Sequence, residues 1–137
     1  MSASVHHIEL WVPNYSAARA RWGWLLASLG WTDYQDWPGG HSWRAPDGVY
    51  LVIEQSVDML AGPQDRMRPG LNHLALAVGS ADAADALVAD SASHGWSLLF
   101  PETHPFAGGP GHYAAYLEDE DGFEVEVGVV QPASTRA

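Results

Sequence analysis

The chain contains no cysteine and no lysine. Without cysteine there is no disulfide framework, no thiolate nucleophile and no Cys-ligated zinc. Without lysine there is neither a Schiff base nor a P-loop. The six basic residues are all arginine and face seventeen carboxylates, for a net charge of −11 at pH 7. Such a chain lacks the basic footprint that a nucleic-acid backbone or an anionic membrane requires, so neither is expected as a partner. No apolar run approaches the ~18 residues of a membrane span. The start, Met1-Ser-Ala-Ser-Val-His-His7, has neither the basic nor the apolar region of a secretory signal. These absences predict a soluble, cytoplasmic protein.

What is present fits one compact domain. There are 137 residues, 47% of them hydrophobic, and seven are tryptophan. That hydrophobic fraction is ordinary for a globular chain. Tryptophans in such number imply a large aromatic core or a groove for a flat ligand.

The organising feature is an internal repeat. His7-Ile-Glu-Leu-Trp-Val12 returns as His73-Leu-Ala-Leu-Ala-Val78. Each segment runs into a helix-start signal, with Asn14 and Ser80 as the expected N-caps. Ala18, Trp22, Leu25, Leu26 and Leu29 then form one helical stripe, and Ala84, Leu87 and Val88 the other. Each helix ends at Gly-Trp, Gly30-Trp31 and Gly95-Trp96, which suits a C′ glycine leading into a strand. Three strands complete each half, near 31–37, 41–45 and 49–55, then near 96–100, 112–118 and 123–130. The expected fold is α+β: two βαβββ modules in tandem, 5–55 and 71–130, forming a cupped, mostly antiparallel sheet. Residues 56–70 read as a linker, 131–137 as a tail, and 104–111 as a mobile loop over a site.

Strand alternation sorts the polar residues. Ile8, Leu10 and Val12 share one face of the first strand, leaving His7, Glu9 and Trp11 on the other. In the repeat His73, Ala75 and Ala77 stand opposite Leu74, Leu76 and Val78. The last strand sets Glu124 and Glu126 opposite its valines, and residues 49–55 set Tyr50, Val52 and Glu54 opposite Leu51 and Ile53. If the halves curl toward each other, two imidazoles and two carboxylates meet in one concavity. A His₂Glu₂ set with open positions suits Zn, Ni, Mn or Fe as a single divalent ion.

These motifs, with the closing Glu118-Asp-Glu-Asp-Gly-Phe-Glu-Val-Glu126, resemble the vicinal oxygen chelate proteins: the glyoxalase, bleomycin-resistance and dioxygenase superfamily. The resemblance spans nearly the whole chain. It implies paired modules around one divalent metal held by His7, Glu54, His73 and Glu126, with Glu126 or Glu54 carrying a proton in lyase chemistry. It also implies a homodimer. Glu126 follows its turn glycine by four residues but Glu54 follows Gly48 by six, which leaves Val52 as the competing occupant of that position. An extradiol-type dioxygenase would use a 2-His-1-carboxylate iron site from His7, His73 and Glu126, with His112, Tyr113 or Tyr116 as the added base. The rival reading is a metal-free protein that sequesters a cationic drug, with Trp11, Trp37 and Trp43 in its groove. Either way the ligand is expected to be a small, partly aromatic molecule that is not polyanionic. Its pocket would be built from Glu9, Trp11, Tyr50, Ala75, Ala77 and Glu124.

Overall fold

The computed structural model describes residues 2–130; the stretch 131–137, read as a tail, lies outside the described residues. The chain forms two compact units that meet between Pro63 and Gln64, inside the stretch read as linker. No helix among the described residues is long and apolar enough to cross a membrane.

The first unit runs β1 (His7–Trp11), α1 (Tyr15–Ser28), β2 (Thr32–Trp37), β3 (Gly40–Arg44) and β4 (Tyr50–Glu54). Its sheet has the order β1-β4-β3-β2, with β1 parallel to β4 and the other pairs antiparallel. The second unit repeats the plan with β5 (Leu74–Val78), α2 (Ala81–Ser91), β6 (Trp96–Leu99), β7 (Ala114–Asp119) and β8 (Glu124–Val129). Its order is β5-β8-β7-β6, again with one parallel pair, β5 and β8. The tandem βαβββ plan read from the repeat is therefore the observed fold. A short 3₁₀ turn, Ala92–His94, was not foreseen.

Local chemistry explains the element boundaries. The Asn14 side chain accepts from Ala17 N at 3.1 Å, and Ser80 Oγ from Ala83 N at 3.1 Å. Each satisfies an N–H the helix itself cannot pair. At the end of α1, Gly30 sits at φ +84. Its N–H donates to Ala27 O at 3.1 Å and that of Trp31 to Leu26 O at 2.9 Å. These are the two bonds of a Schellman cap, which a left-handed residue makes possible.

The apolar stripes bury as their spacing requires. Trp22, Leu25 and Leu26 of α1 are buried against a sheet face that includes Leu10, Leu51 and Ile53. Trp96, Leu117, Val125 and Val127 are the corresponding fully buried side chains in the second unit. Trp43 is buried, with its indole against Gly23, where an added Cβ would stand 3.5 Å away, and it lines a cleft with Arg19, Ala27, Trp31 and Asp33. The reason is register: Trp43 pairs with Leu51 across the ladder and shares its core-facing side.

The outer edge of the first sheet carries a charged cluster. Buried His41 sets Nε2 2.7 Å from Asp33 and Nδ1 3.0 Å from Asp36. The hydrogen bond from His41 lowers the Asp36 carboxyl below its usual range, with Arg19 at 3.4 Å adding to it and partial desolvation opposing it. A carboxyl lowered in the folded state stabilises above its ordinary pKa and loses that contribution as the solution is acidified. Thermal midpoints should therefore fall more steeply below about pH 4 in the wild type than in Asp36→Asn. Parallel curves for the two proteins would refute a role for this pair in acid stability.

Candidate functional site

The second unit assembles a polar cluster on the face of its sheet opposite Val125 and Val127. His73 immediately precedes β5, and Ala75 pairs with Glu126 while Tyr116 pairs with Glu126 from the opposite side. The Ala75 methyl beside Glu126 leaves its carboxylate open to longer side chains. His112 Nε2 lies 2.8 Å from Glu126 Oε2, and His73 Nε2 lies 3.3 Å from Glu126 Oε1. Each carboxylate oxygen thus faces a different imidazole.

Neighbouring groups tune this cluster. Burial works to raise the Glu126 carboxyl, but hydrogen bonds from His112 and Tyr116 and the nearby imidazoles outweigh it and hold it below the usual range. Tyr116 is pushed up to about 12, first by burial and then by its hydrogen bond to Glu126 and the charges of Glu126 and Glu124. Such opposed shifts in adjacent groups are a mark of proton-handling sites. Two glycines make the approach possible. A Cβ on Gly108 would stand 2.5 Å from Tyr116 Oη and 2.7 Å from His112 Cδ2; one on Gly128 would stand 3.1 Å from Glu126 Oε2.

His73 is held from behind. Its Nδ1 lies 2.7 Å from Asn72 Oδ1, and Asn72 Nδ2 donates to the Arg66 carbonyl at 3.0 Å. Arg66 in turn reaches Glu118 at 2.6 Å and Glu124 at 2.8 Å. Glu124, expected as a bare carboxylate in the pocket, is buried and paired with that guanidinium. Ala75 and Ala77 line a cleft of about 220 Å³ together with His112, Glu126 and Gly128. The three proposed bases separate here: His112 and Tyr116 touch Glu126, whereas the Tyr113 hydroxyl donates to Asp85 at 2.5 Å. The stretch 104–111 is tied by turns, including His104 N to Phe100 O at 2.9 Å and Gly109 N to Phe106 O at 3.0 Å, and so delivers His112 from a folded loop.

The first unit presents a different face. His7, Glu9 and Trp11 are exposed, as alternation requires. His7 stacks on Tyr50 with ring centroids 4.7 Å apart, and Trp11 Nε1 donates to Glu9 at 2.7 Å. Tyr50 also meets Tyr34 at 5.2 Å, over which Arg44 sits at 5.1 Å. In the ladder His7 pairs with Tyr50, Glu9 with Val52 and Trp11 with Glu54. Val52 therefore holds the place that Glu126 holds in the second unit. Glu54 lies four residues beyond the level of His7, roughly 13 Å along the strand.

Among the described residues no three His, Asp or Glu side chains already surround a single metal position. Two donors nevertheless fit one. Because Asn72 presents its oxygen to Nδ1, His73 carries a hydrogen there and, when the ring is neutral, offers a lone pair at Nε2. That lone pair faces a carboxylate oxygen at 3.3 Å. Two acceptors at this distance are held by a cation between them, either a proton on Nε2 or a metal ion, and two ligands on one ion at ~2.1 Å bonds stand about 3.0–3.4 Å apart. Hydrogen bonding of the far nitrogen is also the usual support of a metal-binding imidazole.

The paired βαβββ units and this His–Glu cluster define a class. The chain belongs to the glyoxalase/bleomycin resistance protein/dioxygenase superfamily, whose sequence profile matches residues 6–116. Members of this superfamily usually bind a divalent metal and small-molecule ligands. An uncharacterised protein of Bacillus subtilis (strain 168), YqjT, is 44% identical over 124 residues, covering 90% of this chain and 96% of YqjT. A crystal structure of a candidate glyoxalase from Bacillus halodurans is 38% identical, with a TM-score of 0.86 over 92% of this chain and 95% of that one. A glyoxalase/bleomycin resistance protein from Albidiferax ferrireducens T118 shares the fold at 19% identity and a TM-score of 0.71, covering 91% of this chain and 97% of the other.

Proposed function

We propose that this protein is a divalent-metal-dependent enzyme acting on a small, partly aromatic molecule that is not polyanionic. The observation that carries the reading is the pairing of a tautomer-fixed His73 Nε2 with Glu126 Oε1 at 3.3 Å. His73 and Glu126 would hold the ion. His7, whether from the same chain or a second copy, is the further ligand that the family resemblance implies. When bound, the metal would polarise substrate oxygens as a Lewis acid.

The chain's own groups handle the protons. His112 is placed to take a proton from a bound hydroxyl or return one, with Glu126 Oε2 orienting its ring. Tyr116, kept neutral by its raised pKa of about 12, is a donor at ordinary pH. Glu54 is the weakest of the four implied ligands, since Val52 occupies the matching level of the first sheet. A set of two histidines and one carboxylate suits non-haem Fe²⁺ oxygen chemistry better than the four-ligand arrangement of a lyase. Dioxygenase-type chemistry is thus the preferred branch of the reading, with homodimer assembly as part of it. The net charge of −11 disfavours polyanionic substrates.

A metal-free sequestering protein is the second reading, favoured by the exposed Trp11 beside Glu9. Elemental analysis of protein purified without chelator separates the two. One equivalent of metal in the wild type and its loss in His73→Ala are expected. Failure to take up Zn²⁺, Ni²⁺, Mn²⁺ or Fe²⁺, with drug binding that survives EDTA, would establish the second reading instead.

A further inference from the structure

We propose that Asn72 is a positioning residue: its side-chain amide, fixed by the Arg66 carbonyl, sets the His73 tautomer and so selects Nε2 as the nitrogen offered to a cation. The proposal rests on the metal reading above, but its first readout does not need the metal.

An imidazole by itself leaves the choice of protonated nitrogen open. A side-chain amide removes that choice once one of its ends is assigned, because its nitrogen only donates and its oxygen only accepts. Asn72 Nδ2 is 3.0 Å from the Arg66 carbonyl, which cannot donate. Oδ1 must therefore be the end that faces His73 Nδ1 at 2.7 Å. Glu124 Oε2 stands 3.8 Å from the same nitrogen, beyond hydrogen-bond range, so the amide alone holds it.

The Arg66 carbonyl is itself anchored. Its guanidinium bonds Glu118 at 2.6 Å and Glu124 at 2.8 Å, and the Glu124 side chain is only 6% exposed. Gln64 reinforces the same segment through Nε2 to Leu71 O at 2.8 Å. A strap from Gln64 to Asn72 thus carries the ion-pair geometry to one imidazole nitrogen. The repeat supplies an internal comparison. His6 stands where Asn72 stands, and its Nδ1 is 2.8 Å from His7 Nδ1. Two imidazoles can exchange the direction of that bond, whereas an amide cannot. The second unit therefore holds its histidine by the more fixed partner.

The test compares full-length wild type, Asn72→Ala and Asn72→Asp after chelator treatment. Long-range ¹H–¹⁵N spectra at pH 8 read the His73 tautomer directly. Wild type should show the hydrogen on Nδ1 alone. Asn72→Ala should show both tautomers, whereas Asn72→Asp, which loses the donor to the Arg66 carbonyl but offers Nδ1 a charged acceptor that cannot donate, should keep the hydrogen on Nδ1. Asn72 is exposed, so both variants should fold, and circular dichroism checks this. Zn²⁺ titration should then give 10–100-fold weaker binding in Asn72→Ala and near-wild-type binding in Asn72→Asp, at roughly the scale usual for a lost outer partner. An unchanged His73 spectrum in Asn72→Ala, or mixed tautomers in wild type, would overturn the proposal. If wild type takes up no Zn²⁺ yet Asn72→Ala still changes the tautomer, the metal reading falls and the positioning role stands.

Discussion

Glu126→Gln is expected to abolish metal uptake at the proposed site while leaving the fold in place. Glu126 is the side chain that His73 and His112 both face, His73 facing Oε1 at 3.3 Å and His112 facing Oε2 at 2.8 Å. Glutamine has the same shape but no charge, and one of its two ends can only donate. With its oxygen toward His73 it is a poor ligand for a hard cation; with its nitrogen there it is none. The fall in affinity should exceed the roughly 10–100-fold that loss of an outer partner causes. Stability should fall only by about 1.5–3 kcal/mol, the scale of one hydrogen bond to a charged group. Metal content measured beside a thermal melt separates the two effects. Retention of one equivalent of metal by a folded Glu126→Gln protein would remove this residue from the site. Val52→Glu is the mirror experiment. It places a carboxylate at the matching level of the first sheet, where Val52 pairs with Glu9 as Glu126 pairs with Ala75.

Much of this was legible in the sequence because it depends on period and repeat. Alternation set His7, His73 and Glu126 on the faces opposite the apolar residues of their strands, and the asparagine and serine caps set the helix starts. The contacts that complete the site were not legible, and the reason is physical. His112 arrives on a loop whose path depends on Gly109 at φ +120 and Gly111 at φ +79, conformations that no hydrophobic period reports. Asn72 and Arg66 act through a non-repeating strap, which neither the repeat nor a hydrophobic period reports. For Glu54 alternation fixed the face and the turn spacing pointed to Val52 as the competing occupant; the ladders set Val52 at the level of Glu126, since a level is fixed only by the partner strand.

Gly122→Ala should cause a large loss of stability while leaving every proposed ligand intact. Gly122 closes the turn between β7 and β8 at φ +92. An added Cβ would stand 2.3 Å from the carbonyl oxygen of Gln64, a backbone atom with no rotamer to escape into. The same turn holds the strap, with Gln64 N donating to Asp121 O at 3.1 Å. Left-handed strain alone costs about 1–2 kcal/mol for a residue with a Cβ. Opening the strap adds to this, so a total on the order of 3 kcal/mol and a melting midpoint lower by roughly 6–15 °C are expected. Gly62→Ala is the matched control, for Gly62 has φ +128 but nothing within 4 Å of an added Cβ. Its loss should stop at the strain. The strap ends at Asn72, so Gly122→Ala should also reproduce the mixed His73 tautomers of Asn72→Ala, while Gly62→Ala should not. If the two alanine variants melt alike, the Gln64 contact does not hold the strap. If Gly122→Ala melts lower yet keeps the wild-type His73 spectrum, the strap stabilises the unit without orienting its histidine.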